Sequence, residues 1–187
     1  MASSSSLKSL AEIRLPRWLG GLLPPQAPVS DSDCMDFAIR IAHQSLEQGG
    51  GPFGAVVREE ATGAVIAAGV NMSLSSGNPL LHAEVVALCL AGGRPAGAGV
   101  ISLFCSCEPC IMCLGAAHWA EVGRIVSAAG RQDALSLGFS EGAGVSELRA
   151  EMAARGVVFQ DGFHAEAGRE VLGAYAGRGG VIYGPRL

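Results

Sequence analysis

The fold of this chain is decided by the stretch Pro109-Cys110-Ile111-Met112-Cys113, which follows a buried β-prone run and begins a helical pattern. Proline suits the first position of a helix, because its missing N–H would have no intrahelical partner there. Cysteines three residues apart project from the same side of the first turn, where the positive end of the helix dipole favours thiolates. The stretch therefore predicts a helix that begins with a pair of metal-binding sulfurs.

A second stretch, His82-Ala83-Glu84, completes the predicted metal site. A catalytic zinc takes three protein ligands and leaves a fourth position for water, and one imidazole with two thiolates supplies that set. We therefore expect His82, Cys110 and Cys113 to bind one zinc ion per chain. Glu84 lies two residues after the histidine, so its carboxylate can reach the water without being a ligand.

The two stretches combine H-x-E with P-C-x-x-C, which is the signature of zinc-dependent nucleobase deaminases. A carboxylate within hydrogen-bond distance of the water can take its proton, pass it to a ring nitrogen and later protonate the departing amine. We therefore predict a hydrolytic, amine-removing site in which Glu84 is the catalytic proton carrier.

Composition limits the classes of protein to consider. The chain has 187 residues, of which 49% are hydrophobic and 16% charged, and its formal net charge is -4. The length fits one globular domain, and no apolar run approaches the roughly 18 residues of a membrane span. The acidic balance makes nucleic acid an unfavourable partner. Six cysteines without a recognisable secretory segment favour a soluble, cytoplasmic protein with reduced thiols.

The order of apolar patterns predicts an α/β fold. Residues 1–32 are interrupted by serines and prolines and are expected to form an extended N-terminal arm, followed by one domain over 33–187. In that domain short β-prone runs alternate with helical patterns. The predicted helices cover 33–48, 81–91, 108–120, 133–138 and 165–176, and the predicted strands cover 53–57, 65–68, 100–104, 124–128 and 157–160.

After the arm, the chain resembles the guanine deaminases of the cytidine-deaminase-like superfamily across nearly all of its length. The matching stretches are 51–56, 68–71, 82–84, 106–116 and 137–141. The resemblance implies a three-layer α/β/α fold with a central five-stranded mixed sheet. It also implies hydrolysis of a free nucleobase, guanine, to xanthine and ammonia.

The resemblance further implies roles for residues outside the zinc motifs. Asn71 is expected to hydrogen-bond the base, Phe53 and Ala83 to lie against it, and Glu141 to act as a second catalytic acid. The family is usually dimeric, with a C-terminal segment that crosses to the partner, so Tyr183 is expected to close a site. The residues alone also allow Asn71 as a turn residue, Glu141 as a solvated loop acid and Tyr183 packed on its own core.

Several departures from the family pattern leave the substrate open. Leu81 stands where guanine deaminases commonly carry alanine, Ser140 replaces a common aspartate, and residues 75–80 differ from the usual loop. A bulkier residue beside the zinc ligand can shrink the pocket toward a pyrimidine, a triazine or a modified purine. A nucleoside also stays open as the substrate.

Two other classes of function also remain open. Adenosine deamination on transfer RNA shares the zinc motifs but calls for a basic, aromatic-lined surface. A non-catalytic zinc module would use Cys105 or Cys107 as a fourth protein ligand.

Trp119, at the end of the zinc helix, is expected in the core or in a dimer interface.

Overall fold

The computed structural model describes residues 13–22, 24, 26–92 and 99–184. Within these residues the chain forms helices on both sides of one sheet. In chain order the elements are α1 (Arg17–Gly21), α2 (Asp31–Glu47), β1 (Gly54–Glu59), β2 (Ala64–Val70), α3 (Ser73–Ser76), α4 (Ala83–Ala91), β3 (Ile101–Cys107), α5 (Ile111–Trp119), β4 (Val122–Ala129), α6 (Arg131–Ser136), α7 (Val145–Ala154), β5 (Val158–Gln160) and α8 (Ala165–Gly177).

The sheet is mixed, and its strand order is β2-β1-β3-β4-β5. Strand β1 is antiparallel to both β2 and β3, whereas β3, β4 and β5 run parallel. Strands β1 and β2 form a hairpin around a turn at Thr62 and Gly63, where Gly63 adopts the left-handed backbone conformation that glycine tolerates best. The predicted five-stranded mixed sheet is confirmed.

Helices cover both faces of the sheet. Helices α2 and α8 pack on one face, and α4, α5 and α7 on the other. Alternation along β1 sends Val56 into the cluster with α2 and Val57 into the cluster with α4 and α5, and both side chains are fully buried. The predicted three-layer α/β/α fold is therefore confirmed.

Two glycines let the helices approach the sheet closely. A Cβ at Gly54 would overlap the carbonyl oxygen of Ala38 in α2, and a Cβ at Gly69 would overlap that of Ala83 in α4. Only a residue without a side chain fits at such contacts. The contact at Gly69 fixes the start of α4 against the end of β2.

The N-terminal part differs from the extended arm expected over residues 1–32. Residues 17–21 form the short helix α1, and Trp18, Leu19 and Leu22 pack on the cluster beneath α2. Helix α2 begins at Asp31, with a capping box in which Ser30 accepts from the Asp33 amide at 3.1 Å. The remaining part of the predicted arm, residues 1–12, 23 and 25, lies outside the described residues.

The helix predicted from residue 108 begins later than expected. Cys110 has an extended backbone and is the N-cap of α5, so Pro109 precedes the cap and is not the first helical residue. Helices α3 and α7 were not predicted. The pattern of α7 is weak because only Val145 and Met152 of its ten residues are buried.

Candidate metal centre and adjoining cavity

The predicted metal ligands lie at the starts of two neighbouring helices. His82 is the N-cap of α4, Cys110 is the N-cap of α5, and Cys113 lies in the first turn of α5. The two helices pack against each other on the same face of the sheet. Because α4 is seated against β2 and α5 follows directly from β3, both helix starts reach the same end of the sheet.

The ligand atoms of His82, Cys110 and Cys113 form a nearly equilateral triangle. The two sulfurs are 3.5 Å apart, and each lies 3.6 Å from Nδ1 of His82. In a tetrahedral site with Zn–S bonds of about 2.3 Å and Zn–N bonds of about 2.05 Å, the S···S and S···N edges measure about 3.8 Å and about 3.6 Å. The donor types and their spacing therefore both fit zinc.

A fourth protein ligand is missing from this group. Among the described residues, the only cluster of three or more metal-ligating side chains consists of His82, Cys110 and Cys113. Burial raises the pKa of the Cys105 and Cys107 thiols, and Cys107 donates instead to the carbonyl oxygen of Gly130. The set of four protein ligands that a structural zinc site usually has is therefore not formed in this part of the chain.

Of the two thiols, Cys110 is the one made more acidic by its surroundings, whereas the hydrogen bond with Cys110 and burial raise the pKa of the Cys113 thiol. Hydrogen bonds with Cys113 and His82 lower the pKa of the Cys110 thiol to about 4, despite the opposing effect of burial. A thiolate is the form that binds zinc. Cys110 is therefore ready to bind a cation at neutral pH.

Glu84 lies beside the ligands, in the first turn of α4. Its carboxyl group is 8% exposed and accepts a hydrogen bond from the Cys113 thiol at 3.3 Å. Burial, followed by the nearby Cys110 thiolate, raises the pKa of this carboxyl group. A buried carboxyl group with a raised pKa, placed beside the metal ligands, is suited to receive and return a proton.

A small cavity of about 30 Å³ lies over these groups. Its walls combine acids, an amide and aromatic rings with two of the metal ligands. The lining residues are Phe53, Asn71, His82, Glu84, Glu108, Cys110, Phe139, Ser140, Glu141 and Tyr183. All of the sequence-predicted site residues line this cavity except Cys113, whose sulfur lies against Cys110 and His82, and Ala83.

Ala83 and Leu81 lie away from the cavity lining. The side chain of Ala83 is fully buried in the cluster between α4, α5 and the sheet, although its amide lies in the first turn of α4, where N–H groups lack intrahelical partners. Leu81 packs against the cluster beneath α2. The expected narrowing of the pocket by Leu81 is therefore not found.

Asn71 is a turn residue whose side chain also lines the cavity. It follows β2, and its side-chain oxygen accepts from the amide of Ser73 at 3.0 Å, which is an Asx turn. The same side chain is 5% exposed and lines the cavity. The turn therefore holds the amide group in place rather than excluding it from the site.

Glu141 is a buried acid and not a solvated loop acid. It lies in the loop after α6, lines the cavity and is 7% exposed. Burial, together with the charges of Cys110 and Glu84, raises the pKa of its carboxyl group to about 8. The cavity therefore holds a second carboxyl group that can be protonated near neutral pH.

Tyr183 covers the cavity of its own chain. Its ring meets Phe139 edge to face at 5.3 Å, and Phe139 meets Phe53 in the same way at 5.1 Å. The Tyr183 hydroxyl is buried and has no hydrogen-bond partner among the described residues. A Cβ at Gly51 would overlap this hydroxyl, so the glycine makes room for it.

Sequence reasoning missed Phe139 and Glu108 as cavity-lining residues. Both lie in stretches that match the family pattern, and this match was the signal that could have identified them.

A larger groove of about 760 Å³, bordered by Leu74, Leu80 and Met112, adjoins the cavity and shares five of its lining residues. Across the described residues no helix is both long and apolar enough to cross a membrane.

Comparison with known proteins agrees with this geometry. The family described as the cytidine and deoxycytidylate deaminase zinc-binding region matches residues 28–129. A guanine deaminase from Bacillus subtilis (strain 168) is 42% identical over 108 residues, which are 56% of this chain and 67% of that enzyme.

Solved structures extend the likeness over almost the whole chain. The structure of a guanine deaminase from Nitrosomonas europaea superimposes with a TM-score of 0.84 at 28% identity and covers 92% of this chain and 100% of its own. A mutant of NE0047 in complex with 8-azaguanine gives a TM-score of 0.85 at 28% identity, over 93% of this chain and 100% of that one.

Proposed function

Since the chain belongs to the cytidine and deoxycytidylate deaminase zinc-binding family, we propose that it is a zinc-dependent aminohydrolase that converts guanine to xanthine and ammonia. One observation carries the proposal: a three-ligand metal group, the carboxyl of Glu84 and the amide of Asn71 meet at one cavity. The relatives named as guanine deaminases, and the 8-azaguanine complex, support guanine as the base.

His82, Cys110 and Cys113 would hold the metal. Zinc bound by three protein ligands lowers the pKa of water to about 7 and so supplies a nucleophile for an amidine-like ring carbon. The protein leaves the fourth position open because Cys105 and Cys107 do not join the ligand group.

Glu84 would carry the protons of the reaction. Water adds its oxygen to C2 of guanine while Glu84 takes one of its protons and passes it to the adjacent ring nitrogen. Glu84 would then take the second proton from the new hydroxyl group on C2 and give it to the exocyclic amine, whose bond to C2 breaks so that it leaves as ammonia. Water is consumed and no oxidant or reductant is required.

The remaining cavity residues would orient the base. The Asn71 amide offers both a donor and an acceptor to a ring edge with a carbonyl beside a nitrogen. The rings of Phe53 and Phe139 provide flat apolar walls. Glu141 faces the same cavity and would bind or protonate another edge of the base.

We infer that Tyr183 moves when a purine binds. The cavity of about 30 Å³ has room for water but is far smaller than a usual ligand site. The adjoining groove of about 760 Å³ shares Tyr183 and Glu141 with the cavity. We infer that guanine enters from this groove and that Tyr183 then closes over it.

We also infer that the protein is a cytoplasmic homodimer. The exposed surface near the zinc helix includes Trp119, whose side chain is 86% exposed and which therefore does not belong to the core of its own chain. Tryptophan is enriched at the energetic centres of protein interfaces.

The cysteines support the cytoplasm as the location. All six are free, and metal binding needs two of them reduced, which favours a reducing compartment.

A substrate panel tests the proposed substrate. Purified zinc-loaded protein is incubated with guanine, adenine, cytosine, an aminotriazine, guanosine and transfer RNA, and ammonia is measured. We expect guanine to give the highest kcat/KM and an equal amount of xanthine. Ammonia chiefly from another member of the panel would assign that substrate class instead, and ammonia from none would contradict deamination.

A further inference from the structure

We propose that Arg131 is a positioning residue for this reaction, because it anchors the loop that presents Glu141 to the cavity. The inference rests on the proposed function, since it concerns the second acid of the same site. Arg131 itself does not line the catalytic cavity; it begins helix α6 and lines a separate polar cleft.

The loop is held at two consecutive peptide carbonyls. The carbonyl oxygen of Glu141 accepts from the amide of Ile111 at 3.0 Å, at the start of the zinc helix α5. The carbonyl oxygen of Gly142 accepts from the Arg131 guanidinium at 2.9 Å. The two peptide groups that follow the Glu141 Cα atom are therefore both tied to elements that do not belong to the loop.

Gly142 makes this second tie important. Its φ of +76° is in the left-handed region, and a Cβ there would overlap the side chain of Ile111. A glycine peptide has many accessible conformations, so it needs an external contact to stay in one of them. The hydrogen bond from Arg131 provides that contact next to the catalytic acid.

Arg131 is itself fixed relative to the metal ligands. Its backbone amide donates to Glu108 at 2.9 Å, and Glu108 lies two residues before Cys110. The Nε of Arg131 is buried and has no acceptor among the described residues. Among the described residues, the hydrogen bond to the Gly142 carbonyl is therefore the one that the structure shows for this half-buried side chain.

Arg149 offers a matched control. It also donates to Glu108, at 3.1 Å, and lines the same cleft, but its second partner is Asp161 at 2.6 Å. Its guanidinium stacks on the ring of Phe159 at 4.3 Å. Replacement of either side chain disturbs the cleft, but the bond from Arg131 to Glu108 comes from its backbone amide and survives, whereas that from Arg149 is lost. Of the two arginines, Arg131 is the one that donates to the Glu141 loop.

The test is a double-mutant cycle on guanine deamination. Wild type, Arg131→Gln, Glu141→Gln, the double variant and Arg149→Gln are assayed for kcat/KM, zinc content and Tm. Small misplacements of catalytic groups can cost up to about 100-fold, so we expect Arg131→Gln to lower kcat/KM on the order of 10- to 100-fold. In the Glu141→Gln background the same change is expected to cost less than about twofold, because the group it positions is already gone.

Arg149→Gln, with full zinc, is expected to stay within about threefold of wild type. Three results would overturn the inference. Arg131→Gln could lower kcat/KM equally in the wild-type and Glu141→Gln backgrounds, Arg149→Gln could lower it as much as Arg131→Gln does, or Arg131→Gln could leave it unchanged. If Arg131→Gln does not fold, Arg131→Lys is used in the same cycle. We expect Arg131→Lys to lower kcat/KM by a smaller factor, and only when Glu141 is present. A wild type that does not deaminate guanine would contradict the proposed function instead.

Discussion

At the scale of single residues, the side chains that are tied to their own backbone segment were predictable, and those placed by distant segments were not. Cys110 and Cys113 lie three residues apart at the start of one helix, so their sulfurs were expected close together, and they are 3.5 Å apart. The direction of Leu81 and Ala83 depends on which layer each side chain meets, and both turn into core clusters rather than the cavity. The sequence contains no local signal for that choice.

Gly51 provides a residue-scale prediction. In Gly51→Ala the new methyl group would occupy the position of the Tyr183 hydroxyl, so we expect the tail to seat poorly and KM for guanine to rise about tenfold or more. Steady-state kinetics with guanine measures this. Gly173→Ala, in helix α8 with open space around it, is the control and should leave KM unchanged. An unchanged KM in Gly51→Ala would show that Tyr183 does not close the site.

At the scale of elements, the sequence predicted the existence and approximate position of the strands and long helices. It did not predict the residues at which they begin and end. The apolar pattern continues through residues 108–110, yet α5 begins only at Ile111, because Cys110 takes an extended cap conformation that places its sulfur beside Cys113. Helix α7 was missed because its contacts with α5 leave only two of its residues fully buried. Tertiary contacts, rather than periodicity, define both features.

The contact between α4 and β2 gives a prediction at this scale. Gly69→Ala would force the start of α4 away from the sheet, and overpacking of this kind costs about 1–3 kcal/mol in the free energy of unfolding. Because α4 carries His82, we expect zinc affinity to fall as well. Urea unfolding and competition with a zinc chelator measure the two effects. Gly115→Ala, on the open side of α5, should change neither; a Gly69→Ala variant with wild-type zinc affinity would show that α4 is positioned by other contacts.

At the scale of the whole molecule, the α/β class follows from the alternation of patterns, but assembly does not. Trp119 was expected in the core or at an interface, and its 86% exposure removes the first possibility. We expect Trp119→Ser to convert a dimer to a monomer in light scattering coupled to gel filtration. The fold of the single chain should be kept, because the side chain is exposed there, but Tm should fall through loss of the partner subunit. Ile66→Ser, on the edge strand β2, should stay dimeric; a dimer that survives Trp119→Ser uses another surface.

The whole account depends on one comparison, between the wild type and Glu84→Gln on guanine, with bound zinc measured in both proteins. Glutamine keeps the size of the side chain but cannot carry the proton. General acid–base catalysis contributes roughly 100- to 10,000-fold, so we predict one zinc per chain in both proteins and a loss of kcat in this range. Zinc-loaded wild type that releases no ammonia and no xanthine from guanine, or a zinc-loaded Glu84→Gln variant as fast as the wild type, would contradict the account.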